Sequence, residues 1–394
     1  MTTHGSTAPV AIDSPVAWRM VAVAFMSGFV VFGVVYSFGV FLQPLMNDLG
    51  AGRSATSALY AISSTVFYFL GPATGRIGDR IGPRLVTAAG AVAMTAGLLT
   101  TAFVDDIRMA YVTYGLGVGS GAALAYIPAF SNLGGWFQRA RTRALGIAAA
   151  GTGCGMLLVP PLSAMLIASM GWRTAMVALG AGSGLLLAGC AMAVRPAPAA
   201  PPSPSDWTLG AALRSSSFLQ LYVSWVLATM ALFVPLVFLP AFAVEGGADP
   251  VAASWLISII GGASVVGRVA SGYTGTPDTL GLYKVAVMAM GASYVIWLAL
   301  PAYHWLVVFA AMLGVAYGVR IALVAPVLIQ LFGARDLGAL LGFFFTATGL
   351  AGLLGPLLAG LAVDLSGSHA GGIVAAICLG GLGYAAIATL KPTA

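Results

Sequence analysis

The chain has 394 residues, of which 60% are hydrophobic and 7% charged, and its formal net charge is +6. Soluble domains carry about 25% charged residues, so this composition, with a mean hydropathy of +0.98, excludes a soluble globular protein or a nucleic-acid-binding module. It points to an all-α polytopic membrane protein whose basic residues set orientation in the bilayer.

Residues 1–17 are polar, lack the basic start and cleavage site of a secretory signal, and read as a cytoplasmic tail. Twelve apolar segments follow, each near the roughly 20 residues that cross a bilayer. They fall at 18–43, 54–75, 84–104, 109–131, 142–169, 173–194, 216–243, 251–273, 283–302, 305–331, 337–363 and 371–390. Runs this long satisfy their backbone in lipid only as helices. GVGSG at 117–121 reads as helix-packing glycine, because no strand precedes it. Between the sixth and seventh segments stands RPAPAAPPSPSD, 195–206, which cannot form a packed element. Residues 195–215 therefore read as a cytoplasmic linker between an N-terminal six-helix bundle, 18–194, and a C-terminal one, 216–394.

With the N-terminus inside, twelve of the 17 basic residues fall on the cytoplasmic side and three, Arg53, Arg108 and Arg173, on the other. That bias predicts a multi-pass protein of the cell or inner membrane with both termini in the cytoplasm. Cys154, Cys190 and Cys378 sit within apolar segments and read as buried small hydrophobes. The sequence holds no metal-ligand cluster, nucleotide loop or catalytic triad, so neither an enzyme nor a cofactor is expected.

The two halves repeat. WFQRARTRALG, 136–146, aligns with FGARDLGALLG, 332–342, at an offset of 196 residues. Gly117 and Gly121 pair with Gly314 and Gly318 at an offset of 197. A parallel repeat of six helices places a substrate site near the midplane, between halves that rock for alternating access. At the same offset Arg268 falls on Gly71 and Arg320 on Ala123. Both intramembrane charges thus belong to the C-terminal half alone, which argues for a ligand over a scaffold requirement.

The loop after the second segment reads GRIGDRIGPR, 75–84. It resembles the G-x-x-x-D-R-x-G-R/K signature of the major facilitator superfamily, with Gly75, Asp79, Arg80, Gly82 and Arg84 on the key positions and Pro83 inserted. The resemblance implies that fold and a gating role for the acid, which pairs with neighbouring helix ends. YSFGVFLQPLMNDLGAGRSATS, 36–57, and YIPAFSNLGGWFQRARTRALGIAAAGTGCG, 126–155, look like bacterial monocarboxylate transporters and the related oxalate:formate antiporters. That narrower resemblance implies that Arg268, in the eighth segment, pairs with a substrate carboxylate. The chain departs from the pattern in three places. Ser264 stands one turn before the arginine, where relatives often carry an acid. FFFTATG, 343–349, has no lysine. Arg320 is an additional charge.

Arg268 and Arg320 lie at similar depth in their segments, and a centred arginine costs at least about 2.5–3.5 kcal/mol to insert. All eleven acidic residues lie in loops or at segment ends, so an anionic ligand can supply the missing counter-charge. For Arg268 the competing reading is pairing with backbone carbonyls or snorkelling. Tyr317 and Ser264 share helix faces with the arginines. Tyr36 and Tyr126 sit at comparable depth in the first and fourth segments. These six residues are the candidate substrate contacts, while Phe343, Phe344 and Phe345 read as packing or one apolar wall. The expectation is a monomeric secondary transporter of small organic anions, most simply monocarboxylates, by proton symport or anion exchange. A dicarboxylate carrier and an efflux carrier of lipophilic compounds are the alternatives.

Overall fold

The computed structural model describes residues 12–198, 209–274, 278–333, 337–366 and 369–391. They are helical throughout, with no strand among the described residues.

Local caps set the helix starts. Ser14 accepts a hydrogen bond from the Ala17 N–H at the head of α1 (Pro15–Leu49), and Pro15 fills the first turn, where no N–H is needed. Only Gly82 separates α2 (Arg53–Ile81) from α3 (Pro83–Thr101); its φ of 92° makes the turn. Asp106 caps α4 (Ile107–Ala110), which runs through a π-helical stretch, Tyr111–Val118, into α5 (Gly119–Asn132). The fifth and sixth segments form one element, α6 (Arg141–Ala193), which turns at Gly171, φ 79°. A short α7 (Leu209–Arg214) occupies part of the expected linker. Then follow α8 (Ser216–Glu245), α9 (Pro250–Tyr273), α10 (Thr279–Ala299), α11 (Tyr303–Phe332), α12 (Leu337–Ser366) and α13 (His369–Ala388).

Eight helical stretches among the described residues are long and apolar enough to cross a membrane by themselves. The difference from twelve has local causes. The fifth and sixth segments run together as Arg143–Ala193, and the apolar part of α12 is short, Ala339–Gly355. The π-helical stretch divides the fourth segment, and the apolar run of α2 is diluted by Ser63, Ser64, Thr65, Pro72 and Thr74.

The π-helical stretch is a departure from the plain α-helix expected at 109–131. Glycine permits it: Gly115 lies on Ile62 of α2, while Gly117 lies on Gly97 of α3. A wider turn rotates the faces that follow. GVGSG does pack helices, with Gly119 against Ser63 and Gly121 against Met94.

α1 and α3 pack along α6, and α2 packs on α5. In the second part α11 packs on α9 and α10, and α8 on α13 and α12. Two seams join the parts, α6 with α9 and α2 with α12. The three cysteines are free thiols, but only Cys190 is buried; Cys378 is exposed on α13, which has no neighbour over that face among the described residues. In a membrane, such a face meets lipid, so burial in protein is not needed there.

Candidate functional site

Small residues bring the two charged helices together. Gly267 of α9 lies against the Val315 carbonyl, and Gly318 of α11 against the Ser264 carbonyl; a Cβ at either would overlap it. This close crossing carries Arg268 and Arg320 into the wall of one cavity of ≈ 50 Å³, set between the two parts of the molecule. Tyr36, Tyr126 and Tyr317 line it as well, so five of the six expected contacts meet. Ser264 is not among the wall residues; its hydroxyl donates to the Gly261 carbonyl at 2.7 Å within its own helix.

The arginines are 1% and 0% exposed. Arg268 reaches across the α6–α9 seam. Its Nη1 donates to the Ala149 carbonyl at 2.6 Å and also to Thr152 Oγ1. Its guanidinium carbon lies 5.4 Å from the centre of the Tyr317 ring. The carbonyl pairing weighed for this residue is therefore present, and it comes from the opposite part of the molecule. Arg268 Nε has no partner.

Arg320 is held within the second part. Its Nη2 donates to Thr229 Oγ1 at 2.7 Å, and its guanidinium lies 4.1 Å from the centre of the Trp225 ring. Trp225 is itself fixed: Nε1 donates to Thr348 Oγ1 at 2.7 Å, and Phe344 packs on it at 4.8 Å between ring centres. Arg320 Nε and Nη1 are buried with no partner. None of the cavity-lining residues is acidic.

Thr152, Trp225, Thr229 and Thr348 complete the polar wall, and sequence reasoning missed all four. A usable signal existed for two of them: Trp225 and Thr229 stand four apart on one helix face, and Thr229 is the lone polar residue of the run 226–243. The three phenylalanines divide their roles. Phe345 lines the cavity, Phe344 supports Trp225, and Phe343 lies under Arg76.

The seams are drawn together at the end that carries the α2–α3 turn. There Arg143 of α6 lies 5.3 Å from the Tyr273 ring of α9, and Arg76 of α2 lies 5.9 Å from the Phe343 ring of α12. Gly342 lies against Pro72 on the second seam. In the signature loop, Gly75 and Gly82 are partly buried, while Arg80 and Arg84 are exposed. The Asp79 side chain lies outside the described residues.

A helical membrane protein with two seams around a central cavity bearing arginines is the architecture of a carrier. A family model described as Major Facilitator Superfamily matches residues 24–277, and the chain belongs to that superfamily. Among its relatives, Monocarboxylate transporter 3 of Rattus norvegicus is 32% identical over 358 residues, covering 85% of this chain and 72% of that protein. Monocarboxylate transporter 13 of the same species is 29% identical over 370 residues, covering 92% and 86%. Two solved structures share the fold at 15% identity. The proton:xylose symporter XylE superimposes with a TM-score of 0.76 over 95% of this chain and 96% of its own. The human organic anion transporter MFSD10 does so with 0.73 over 95% and 100%.

Proposed function

We propose that this protein is a secondary transporter of small organic anions, with monocarboxylates as substrates, and that it works by alternating access. The observation that carries the reading is Arg268: a buried guanidinium at the seam, in a cavity wall without an acid, bonded to the opposite part of the molecule. A carboxylate matches guanidinium geometry and charge better than a carbonyl and a hydroxyl do. Substrate binding at Arg268 therefore exchanges bonds that tie α9 to α6, and so couples occupancy to the seam. Tyr36, Tyr126 and Tyr317 offer hydroxyls and ring faces that orient the ligand. The small cavity and its two cations disfavour bulky lipophilic compounds.

The halves that rock are 18–194 and 216–394, joined by 195–215. The positive-inside bias supports an inner-membrane protein with cytoplasmic termini, so the closed end is the cytoplasmic one. No chemical step is involved, and the working unit is the monomer. Gly75, Asp79, Arg80, Gly82 and Arg84 form the cytoplasmic gate element.

The test is uptake of labelled lactate and pyruvate into proteoliposomes, with and without a pH gradient. Uptake is expected in the wild type, and a response to the gradient separates proton symport from anion exchange. Arg268→Gln is expected to lower uptake at least about a hundredfold, since it leaves the carboxylate without its charge partner. Absence of organic-acid flux in the wild type would sink the reading.

A further inference from the structure

Thr152 gives Arg268 a partner before any ligand arrives. It is 6% exposed and stands on α6, across the seam from the guanidinium. Its hydroxyl donates to the Ala149 carbonyl at 2.9 Å, so its proton is spent and its oxygen is left to accept. Arg268 Nη1 donates to that oxygen and to the same carbonyl. An oxygen that accepts from a guanidinium plays the part that a carboxylate oxygen plays.

Neither side of this bond can give way locally. On one side, Gly151 and Gly155 lie against the carbonyls of Phe25 and Phe29 in α1, and Gly28 lies against Thr152 itself. A Cβ at Gly151 or Gly155 would overlap those carbonyls, so α6 and α1 move as one. On the other side, Gly267 and Gly318 join α9 to α11 in the same manner. α6 also passes close over the charge: a Cβ at Gly153 would meet Val265, Ser264 Oγ and Arg268 Nη1. Parting the seam therefore breaks the bond between Arg268 and Thr152 instead of bending around it. A buried cation is then short of acceptors, which is costly in a low-dielectric interior.

We infer that Thr152 is a positioning residue that keeps the empty carrier shut at its closed end, by standing on Arg268 in place of a substrate oxygen. The inference rests on reading Arg268 as the carboxylate site, and it adds the control of that site. Hydroxyl and carboxylate compete for one nitrogen. Removing the hydroxyl thus has two effects that loss of a simple substrate contact does not have. The substrate binds more tightly, and the empty seam opens more readily. A residue that only packs would change stability and neither of these.

The experiment compares Thr152→Val, which keeps the branched shape and removes the acceptor, with Thr152→Ser, which keeps the acceptor. Both are made in the full chain with Cys154, Cys190 and Cys378 replaced by alanine and Ser271→Cys introduced, one turn beyond Arg268 on α9. A membrane-impermeant thiol reagent is applied from the closed side of proteoliposomes, with no substrate present. Thr152→Val is expected to speed labelling about tenfold, the scale of one hydrogen bond to a charged group. Thr152→Ser is expected to label at the parental rate, and Thr152→Ala to behave as Thr152→Val does. In a chain that also carries Arg268→Met, Thr152→Val is expected to add nothing, because the bond is already gone. The second readout is uptake of labelled pyruvate, where Thr152→Val is expected to lower KM by roughly threefold to tenfold. Labelling no faster than in the parent, an equal gain in the Arg268→Met chain, or a KM that is unchanged or raised would overturn the inference. If the wild type takes up no pyruvate, the monocarboxylate reading fails, and the labelling comparison alone decides the role of Thr152.

Discussion

Arg320 depends on neighbours that carry no charge. Thr229 accepts from Nη2, and Trp225 supplies a flat surface whose orientation is set by the Thr348 hydroxyl. Cation–π contact over tryptophan contributes about 0.5–2 kcal/mol, the upper end where water is excluded. Thr229→Val keeps the side-chain volume and removes the acceptor. The guanidinium then has a third nitrogen to satisfy and a freer plane. Thr229→Val is expected to lower the Tm by the equivalent of about 1–3 kcal/mol, read by thermal unfolding of the detergent-solubilised protein beside Thr229→Ser, which keeps the acceptor. An unchanged Tm would mean that Thr229 does not hold Arg320.

At the scale of elements, the site exists because α9 and α11 approach closely. Gly267 and Gly318 permit the crossing, each lying against a backbone carbonyl of the other helix. In a membrane, packing of this kind replaces the hydrophobic drive that holds soluble helices together. Gly267→Ala is expected to push the helices apart and cost about 1–3 kcal/mol, seen as a lower Tm and weaker pyruvate uptake. Gly189→Ala is the control. It lies within α6 with open space around the built Cβ, and in a helix interior alanine is favoured over glycine by about 1 kcal/mol. The expected result is a Tm equal to or above that of the wild type. The repeat shows the same dependence on packing. Gly314 and Gly318 face Ile260 and Ser264 of α9, but in the first copy the residues that face α2 are Gly115 and Gly119. The aligned pair, Gly117 and Gly121, turns toward α3 instead, because the π-helical stretch rotates the helix.

For the whole molecule, two cation–π contacts close one end of both seams, Arg143 on Tyr273 and Arg76 on Phe343. They stand at related places, on α6–α9 and on α2–α12. Each contributes about 0.5–1 kcal/mol at a partly exposed site. Removing both rings is therefore expected to shift the balance between closed and open ends by about tenfold. Tyr273→Ala with Phe343→Ala, in a chain carrying Ser271→Cys, tests this. Ser271 is 5% exposed on α9, and a membrane-impermeant thiol reagent applied from the closed side is expected to label it about ten times faster than in the chain with both rings. Equal labelling rates would show that the rings do not hold the seam.

Much of this was legible from residue order alone, because its physical basis is local. Apolar runs of membrane length, loop arginines and proline at 195–206 report the solvent around each segment. The repeat reports that one unit occurs twice. Arg268 and Arg320 stood out because charge in such a run is costly wherever the chain folds. The state of each guanidinium is another matter. Arg268 is bonded to Ala149, 119 residues away, and Arg320 to Thr229, 91 residues away. Ser264 shares a helical face with Arg268, yet it turns its hydroxyl to its own backbone. Which donors are spent and which remain open is a property of side chains gathered from distant segments. Composition and spacing determined that this chain crosses a membrane and buries two cations. Only tertiary packing decided that the first of them is bonded across the seam and the second within its own half, because hydrogen bonds are short and directional and depend on where distant helices come to rest.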